Sequence, residues 1–358
     1  MNSLNFLTFF LFTLSCLAVH KSPLETKSID LVIHKNGIAI GGTLTIPNNP
    51  KIASLVIMSS GSGPQDRDET LEGFKIFKVI AEHLASKGIA SFRYDDRGVG
   101  ASTGDFVNST IEDLANDLEH IMAYFKSNKE HLFTDFILFG HSQGGIVVGK
   151  VAVGNESVKK VVLMAAPSVP MIEAVTYQLR QEYKGTKISK SLIEADVSAH
   201  NQLMRAIEDD KHIDEAYQVF KQTTESILYE MNAENEFDSI KIKQQAIAKA
   251  DEYKIIYELP SLKSFLYYDP LKDLEQLEVP VLGLFGGLDF LVTIEQNKDR
   301  MENTLLKSGT EYDFITFENA NHFFQKTSTK SKDEYITLEK KFVDNFLNEI
   351  SDWILYFK

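Results

Sequence analysis

Ser142, Asp289 and His322 lie far apart in the chain, yet together they are the residue types that turn an alcohol into a nucleophile. A serine hydroxyl attacks poorly near neutral pH and needs a base to take its proton. Ser142 stands in Gly140-His141-Ser142-Gln143-Gly144, directly after the apolar run FILF. This fits G-x-S-x-G, which sets a nucleophile on a sharp turn between a strand and a helix. Small neighbours let such a strained turn close without collision. The helix that follows points its first N–H groups outward. The Gln143 N–H is therefore expected to donate to an oxyanion forming beside Ser142.

The pattern occurs twice, because Gly100-Ala101-Ser102-Thr103-Gly104 also matches. That copy lies several residues past its strand, in the turn-rich DDRGVGASTGDF, so Ser102 is read as a loop or capping residue. Of nine histidines, only His200, His212 and His322 follow Ser142. His200 and His212 sit among charges in a helix-patterned stretch, where solvated side chains are expected. His322, in NANHFF just past the strand-like YDFITFEN, is the expected base. In this architecture the order is nucleophile, acid, histidine. Asp289 in GGLDFLV is thus the expected acceptor for the imidazole Nδ1–H, and Glu318 the weaker candidate. A second oxyanion donor is expected from residues 59–68, SSGSGPQDRD, at the Ser62 N–H or its neighbour Gly61. Arg67 with its flanking acids, and residues 93–100 (RYDDRGVG), read as loop bracing near the site.

The elements that must position these residues follow from periodicity. Two β-rich runs, IDLVIH and IAIGGTLTIP, flank Lys35-Asn36-Gly37, a hairpin signal. Strand-like IASLVIMSS, IASFRYDD, DFILFG and VKKVVLMAA then alternate with helix-patterned FKIFKVIAEHLASKG, IEDLANDLEHIMAYFKSN and a segment from Gln143. Nearly all-apolar strands in such alternation predict a parallel sheet covered on both faces. From about Pro167 to Pro270 the chain is charged and helix-patterned, without a convincing parallel strand. Alternation resumes with PVLGLFGG, TIEQNKDRMENTLLKSG, YDFITFEN and a final helix around EYITLEKKFVDNFLNEISDWIL. The expected organisation is a core of residues 19–167 and 271–358, with a helical cap at 168–270. A cap inserted there is placed to cover the C-terminal ends of the strands, where open parallel sheets bind ligands. Its aromatic end, SFLYYDP, is a candidate pocket lining, with core packing the more ordinary role.

With 358 residues, 43% apolar and 25% charged, the chain has an ordinary globular composition. A formal charge of −14 argues against nucleic acid as a partner. There is no H-E-x-x-H and no clustered ligand set, so no metal is expected. Residues 1–18 have the apolar run of a signal peptide, although no Lys or Arg precedes it. The protein is therefore expected to be exported, periplasmic or secreted, with membrane attachment only if Cys16 carries a lipid; a buried N-terminal helix is the alternative. Cys16 is the only cysteine, which rules out an internal disulfide and a catalytic thiol in the mature chain.

GHSQGG resembles the nucleophile elbow of the α/β-hydrolase superfamily, GGLDFLV its acid loop and NANHFF its histidine loop. Within it, SGSGPQDRDE with RYDDRGVGASTG resembles capped bacterial esterases often labelled serine aminopeptidase-like or S9-like. The resemblance implies a mainly parallel eight-stranded sheet flanked by helices, hydrolysis of a small-molecule ester through an acyl-serine, and no cofactor. The lipase-type His-Gly-Gly-Gly loop is absent, so short- to medium-chain acyl groups are expected rather than long ones. The alternatives are a serine exopeptidase or amidase of the S9-like type and, in another class, a binding protein on a disabled hydrolase scaffold.

Overall fold

In the computed structural model, which describes residues 26–35, 37–232, 238–331 and 334–357, β1 (Thr26–Lys35) and β2 (Ile38–Pro47) form the expected hairpin. They pair antiparallel from Thr26 opposite Pro47 to Lys35 opposite Ile38. The expectations for residues 1–18 and Cys16 lie outside the described residues. Along the chain follow β3 (Leu55–Ser59), the short pair β4 (Thr70–Leu71) and β5 (Phe74–Lys75), α1 (Ile76–Ser86) and β6 (Ala90–Tyr94). Next come α2 (Ile111–Ser127), β7 (Phe136–His141), α3 (Gln143–Ala152) and β8 (Val158–Met164). Five helices then occur without a strand: α4 (Met171–Glu182), α5 (Lys190–Asp209), α6 (Ile213–Met231), α7 (Ser239–Glu258) and α8 (Pro260–Leu266). The chain closes with α9 (Leu271–Leu274), β9 (Val281–Gly286), α10 (Ile294–Ser308), β10 (Tyr312–Phe317) and α11 (Phe346–Tyr356).

The main sheet has eight strands in the order β1-β2-β6-β3-β7-β8-β9-β10. It is antiparallel at the β1–β2–β6 edge and parallel from β6 to β10. This is the α/β-hydrolase sheet that the motifs imply. Side chains alternate between its faces as a strand requires. In β7, Phe136 and Leu138 enter one core, while Ile137 and Phe139 enter the other. The first core includes apolar faces of α2, α3 and α10, and the second those of α1 and α11. Both faces are dry, which is why the central strands read as continuous apolar runs rather than alternating ones. α2 begins at a capping box in which the Thr110 side chain accepts from the Asp113 N–H and Asp113 returns the bond, an arrangement worth ~1 kcal/mol.

Helices α4 to α8 bury their own cluster, built from Ile172, Leu203, Met204, Phe220, Tyr257 and Leu266 among others. The last of them is tied to the sheet domain by Ser261 N–H donating to the Val107 carbonyl and Ile111 N–H to Ser264 Oγ. His200, expected to be solvated, is instead 2% exposed inside this cluster. It meets the Tyr257 hydroxyl at 2.8 Å and edge-on rings of Phe220 and Tyr253. Burial, with Lys249 nearby, lowers its pKa to about 3, so it is neutral. Glu194 and Arg205 on the same helix are exposed, whereas Asp196, one turn earlier, is buried with His200 on the inner face. His212 is exposed, as expected.

The final helix is shorter than its sequence implies. Only Phe346–Tyr356 is helical, because Asn345 takes a left-handed φ of 67° and residues 334–345 run irregularly. The Val343 N–H donates to the Phe324 carbonyl, and Phe342 and Phe324 both stack on Phe346. Tertiary contacts with the loop that carries His322 outweigh local helix preference there.

Candidate active site

Ser142 sits between β7 and α3 with φ 51° and ψ −120°, a backbone region that side chains other than glycine rarely occupy. Its own N–H donates to the Met164 carbonyl at the end of β8, which anchors the turn. The glycines answer to space. A Cβ on Gly140 would collide with the Gly144 carbonyl, and one on Gly144 with the Ser59 carbonyl. Strand, helix and neighbouring strand approach more closely here than any side chain allows. Ser102, the serine of the second matching pattern, is a loop tie instead. Its buried Oγ accepts from the Gly41 N–H and donates to the Asp95 carbonyl.

Asp289 and His322 come together. His322 Nδ1 lies 2.8 Å from Asp289 Oδ2, with both residues buried. The other oxygen, Asp289 Oδ1, accepts from the Leu291 and Val292 N–H groups at 2.7 and 2.9 Å. The carboxylate is thereby fixed in orientation and must hold the imidazole with Nδ1 protonated and Nε2 free to accept a proton. Glu318, the weaker candidate, is exposed in the turn just after β10. Ser142 and His322 line one cavity of about 150 Å³, together with Ser62, Pro167, Val169, Met171 and Phe265 among other residues. Among the described residues no hydrogen bond joins Ser142 Oγ to His322 Nε2. Such bonds are commonly long before substrate arrives. Of SFLYYDP, Phe265 alone reaches the cavity wall.

The loop after β3 is held by buried carboxylates. Asp96 Oδ2 accepts from Ser60 Oγ and the Gln65 N–H, each at 2.9 Å. Burial pushes the Asp96 carboxyl up to about 7, with these two bonds opposing the shift. Glu69 Oε1 accepts the Gly61 N–H at 2.7 Å. That bond removes Gly61 as a donor to substrate, whereas the Ser62 N–H has no partner among the described residues. The Gln143 N–H is the first of α3, where helical N–H groups lack an internal acceptor. Arg67 makes a forked pair with Asp95 and reaches Asp30 and Thr43, while Arg97 grips Asp117. Residues 93–100 thus bracket the loop.

A search for the base confined to histidines after Ser142 passes over His141, the residue beside the nucleophile. Its ring is 1% exposed and lies 4.7 Å from that of His322. His141 Nδ1 is 2.7 Å from Glu69 Oε1, and Nε2 is 3.1 Å from the His322 carbonyl. Nothing in the local sequence marks Glu69 as its partner, since 72 residues separate them.

Known proteins resemble this chain in sequence and in fold. Residues 265–351 match the model of the dienelactone hydrolase family. Esterase EstD of Thermotoga maritima is 23% identical over 316 residues, 88% of this chain; the chain spans 65% of that protein's length. Among solved structures, an esterase of Pyrococcus furiosus superposes with a TM-score of 0.53 at 11% identity, covering 92% of this chain and 93% of its own. A proline iminopeptidase of Mycobacterium smegmatis gives 0.51 at 12% identity, covering 92% and 97%. At such identities these two structures speak for the fold alone. Residues 71–255, just over half of the 358, match the family model described as "Serine aminopeptidase, S33", and the chain belongs to that family, on the α/β-hydrolase fold.

Proposed function

We propose that the protein is a serine hydrolase that cleaves carboxylic esters of short to medium acyl chain through an acyl-serine intermediate. The observation that carries the reading is the buried Asp289–His322 pair, 2.8 Å apart, opening with Ser142 onto one cavity. His322 Nε2 takes the Ser142 proton as Oγ attacks the acyl carbonyl. The N–H groups of Gln143 and Ser62 hold the resulting oxyanion; one such donor is worth ~3 kcal/mol of barrier. His322 then protonates the leaving alcohol, and the same imidazole activates the water that releases the acid. Asp289 keeps Nδ1 protonated and steadies the transient imidazolium.

The cavity supports the acyl range. At about 150 Å³, walled by Pro167, Val169, Met171, Phe265 and Leu291, it matches roughly the space that takes a benzene-sized guest. The Phe265→Ala variant is expected to shift preference toward longer chains by ~10-fold. The family's aminopeptidase name favours a peptidase as the second reading. Glu69 is the one carboxylate on the cavity wall among the described residues, and its Oε1 is already engaged. Its Oε2 has no partner but is buried, so a substrate amine finds no exposed carboxylate oxygen there, and the ester reading is preferred.

Treatment with a fluorophosphonate is expected to place one adduct on Ser142 and abolish turnover of nitrophenyl butyrate. An unlabelled Ser142 in folded protein overturns the reading; faster turnover of aminoacyl anilides than of esters replaces it with the peptidase. Export through residues 1–18 belongs to the same proposal and is checked by N-terminal sequencing of protein recovered outside the cytoplasm.

A further inference from the structure

We propose that Glu69 and His141 are a positioning pair, sharing one buried proton, that ties the oxyanion loop to the loop bearing His322. The inference rests on the reading above, because it assigns the pair a role in that reaction. The bonds leave little freedom. A carbonyl oxygen only accepts, so His141 Nε2, 3.1 Å from the His322 carbonyl, carries a proton. On the other side, Glu69 Oε1 receives the Gly61 N–H and stands 2.7 Å from His141 Nδ1. If the carboxylate is ionised, Nδ1 is protonated too and the ring is a cation. If the ring is neutral, the proton is on Glu69 and points at Nδ1. Either way a single proton closes a chain from the Gly61 backbone, through both side chains, to the backbone of His322.

Three features separate this arrangement from ordinary packing. Glu69 and His141 are 3% and 1% exposed. Glu69 holds a φ of 48°, a left-handed backbone kept only where surroundings over-determine it. Glu69 Oε2 is buried without a partner, so the residue tolerates one orphaned oxygen to keep the other in place. His141 does not act as a base, since Nε2 is committed to a carbonyl. It sets where the His322 loop sits relative to Gly61 and therefore to the Ser62 N–H. The titratable groups facing the pair are Asp289 and His322 from the acid and base loops, and Asp96, which repels Glu69 from the loop after β6. The Phe323 ring also lies close, 5.3 Å from that of His141. Burial opposes a charge on His141, but Glu69 and the His322 carbonyl outweigh it, and its pKa is raised. The ring therefore keeps its proton to a higher pH than a free imidazole does.

Glu69→Gln keeps the size but cannot serve both neighbours of Oε1 without a cationic ring. The expected result is a kcat on nitrophenyl butyrate lower by ~100-fold, the cost of a small misplacement of reacting groups. KM should change less than about threefold, because glutamine keeps the size of the side chain on the cavity wall. The alkaline limb of the kcat profile should shift or vanish. Slower but still stoichiometric labelling of Ser142 would show that the nucleophile survives. A folded E69Q variant with wild-type kcat and an unchanged alkaline limb overturns the positioning role while leaving the hydrolase reading intact. Histidine-selective ¹⁵N NMR on the wild-type protein decides independently of activity and of the variant's folding. A protonated Nε2 and a strongly hydrogen-bonded Nδ1 at His141 near pH 7 are expected, and an unprotonated Nε2 refutes the pair.

Discussion

Two histidine–carboxylate pairs stand side by side in this protein, and they differ at one atom. In Asp289–His322 and in Glu69–His141 a buried imidazole presents Nδ1 to a carboxylate, at 2.8 and 2.7 Å. Both rings border the cavity, but in the first pair the second ring nitrogen carries no hydrogen bond among the described residues. In the second it is closed by the His322 carbonyl. In the roles proposed above, the first arrangement moves a proton and the second holds one. A carboxylate beside an imidazole therefore identifies nothing by itself, and the partner of Nε2 decides the role.

The comparison breaks most visibly at the open pair. Asp289→Asn is expected to lower kcat ~10⁴-fold, with KM little changed, because the imidazole then prefers the wrong tautomer. A loss under tenfold in steady-state kinetics would mean that the two pairs have been assigned to the wrong roles. The next effect concerns the carboxyl that repels Glu69. Unfolded Asp96 ionises above its ordinary 3.8, whereas the folded group stays protonated to about 7. Stability from this group is thus complete below pH 3.8 and falls as pH rises toward 7, by at most ~4 kcal/mol. Asp96→Asn should remove that slope and gain on the wild type between pH 5 and 8 in urea unfolding. Parallel stability curves for the two proteins would contradict it.

A smaller effect sharpens the link between the pairs. If the closed pair acts by placing the loop of the open one, combining E69Q with Asp289→Asn should cost less than the sum of the single losses, by about 1 kcal/mol in kcat. Full additivity would make them independent. Smallest of all is Ser102→Ala, which removes a buried hydroxyl bonded to Gly41 and Asp95. It should cost ~1–2 kcal/mol in unfolding free energy and alter kcat less than about twofold; a large kcat loss would give Ser102 a role that its position denies.

Much of this was legible before any coordinates. GHSQGG, GGLDFLV and NANHFF are each short, and each encodes a local necessity. Collision across the turn demands glycine at Gly144, a strand end presents Asp289, and a loop past the last strand carries His322. Alternating apolar runs determined the sheet and the helices on both its faces, because burial on each face follows from the period of the chain alone. Tertiary structure alone decided the rest. It spent the Gly61 N–H on Glu69 and left the Ser62 N–H without a partner among the described residues. It buried His200 and stopped the last helix at Asn345. It set Glu69 against His141 across 72 residues. A hydrogen bond between distant segments leaves no periodicity behind, so nothing short of the folded chain reveals which N–H is spent and which is left open.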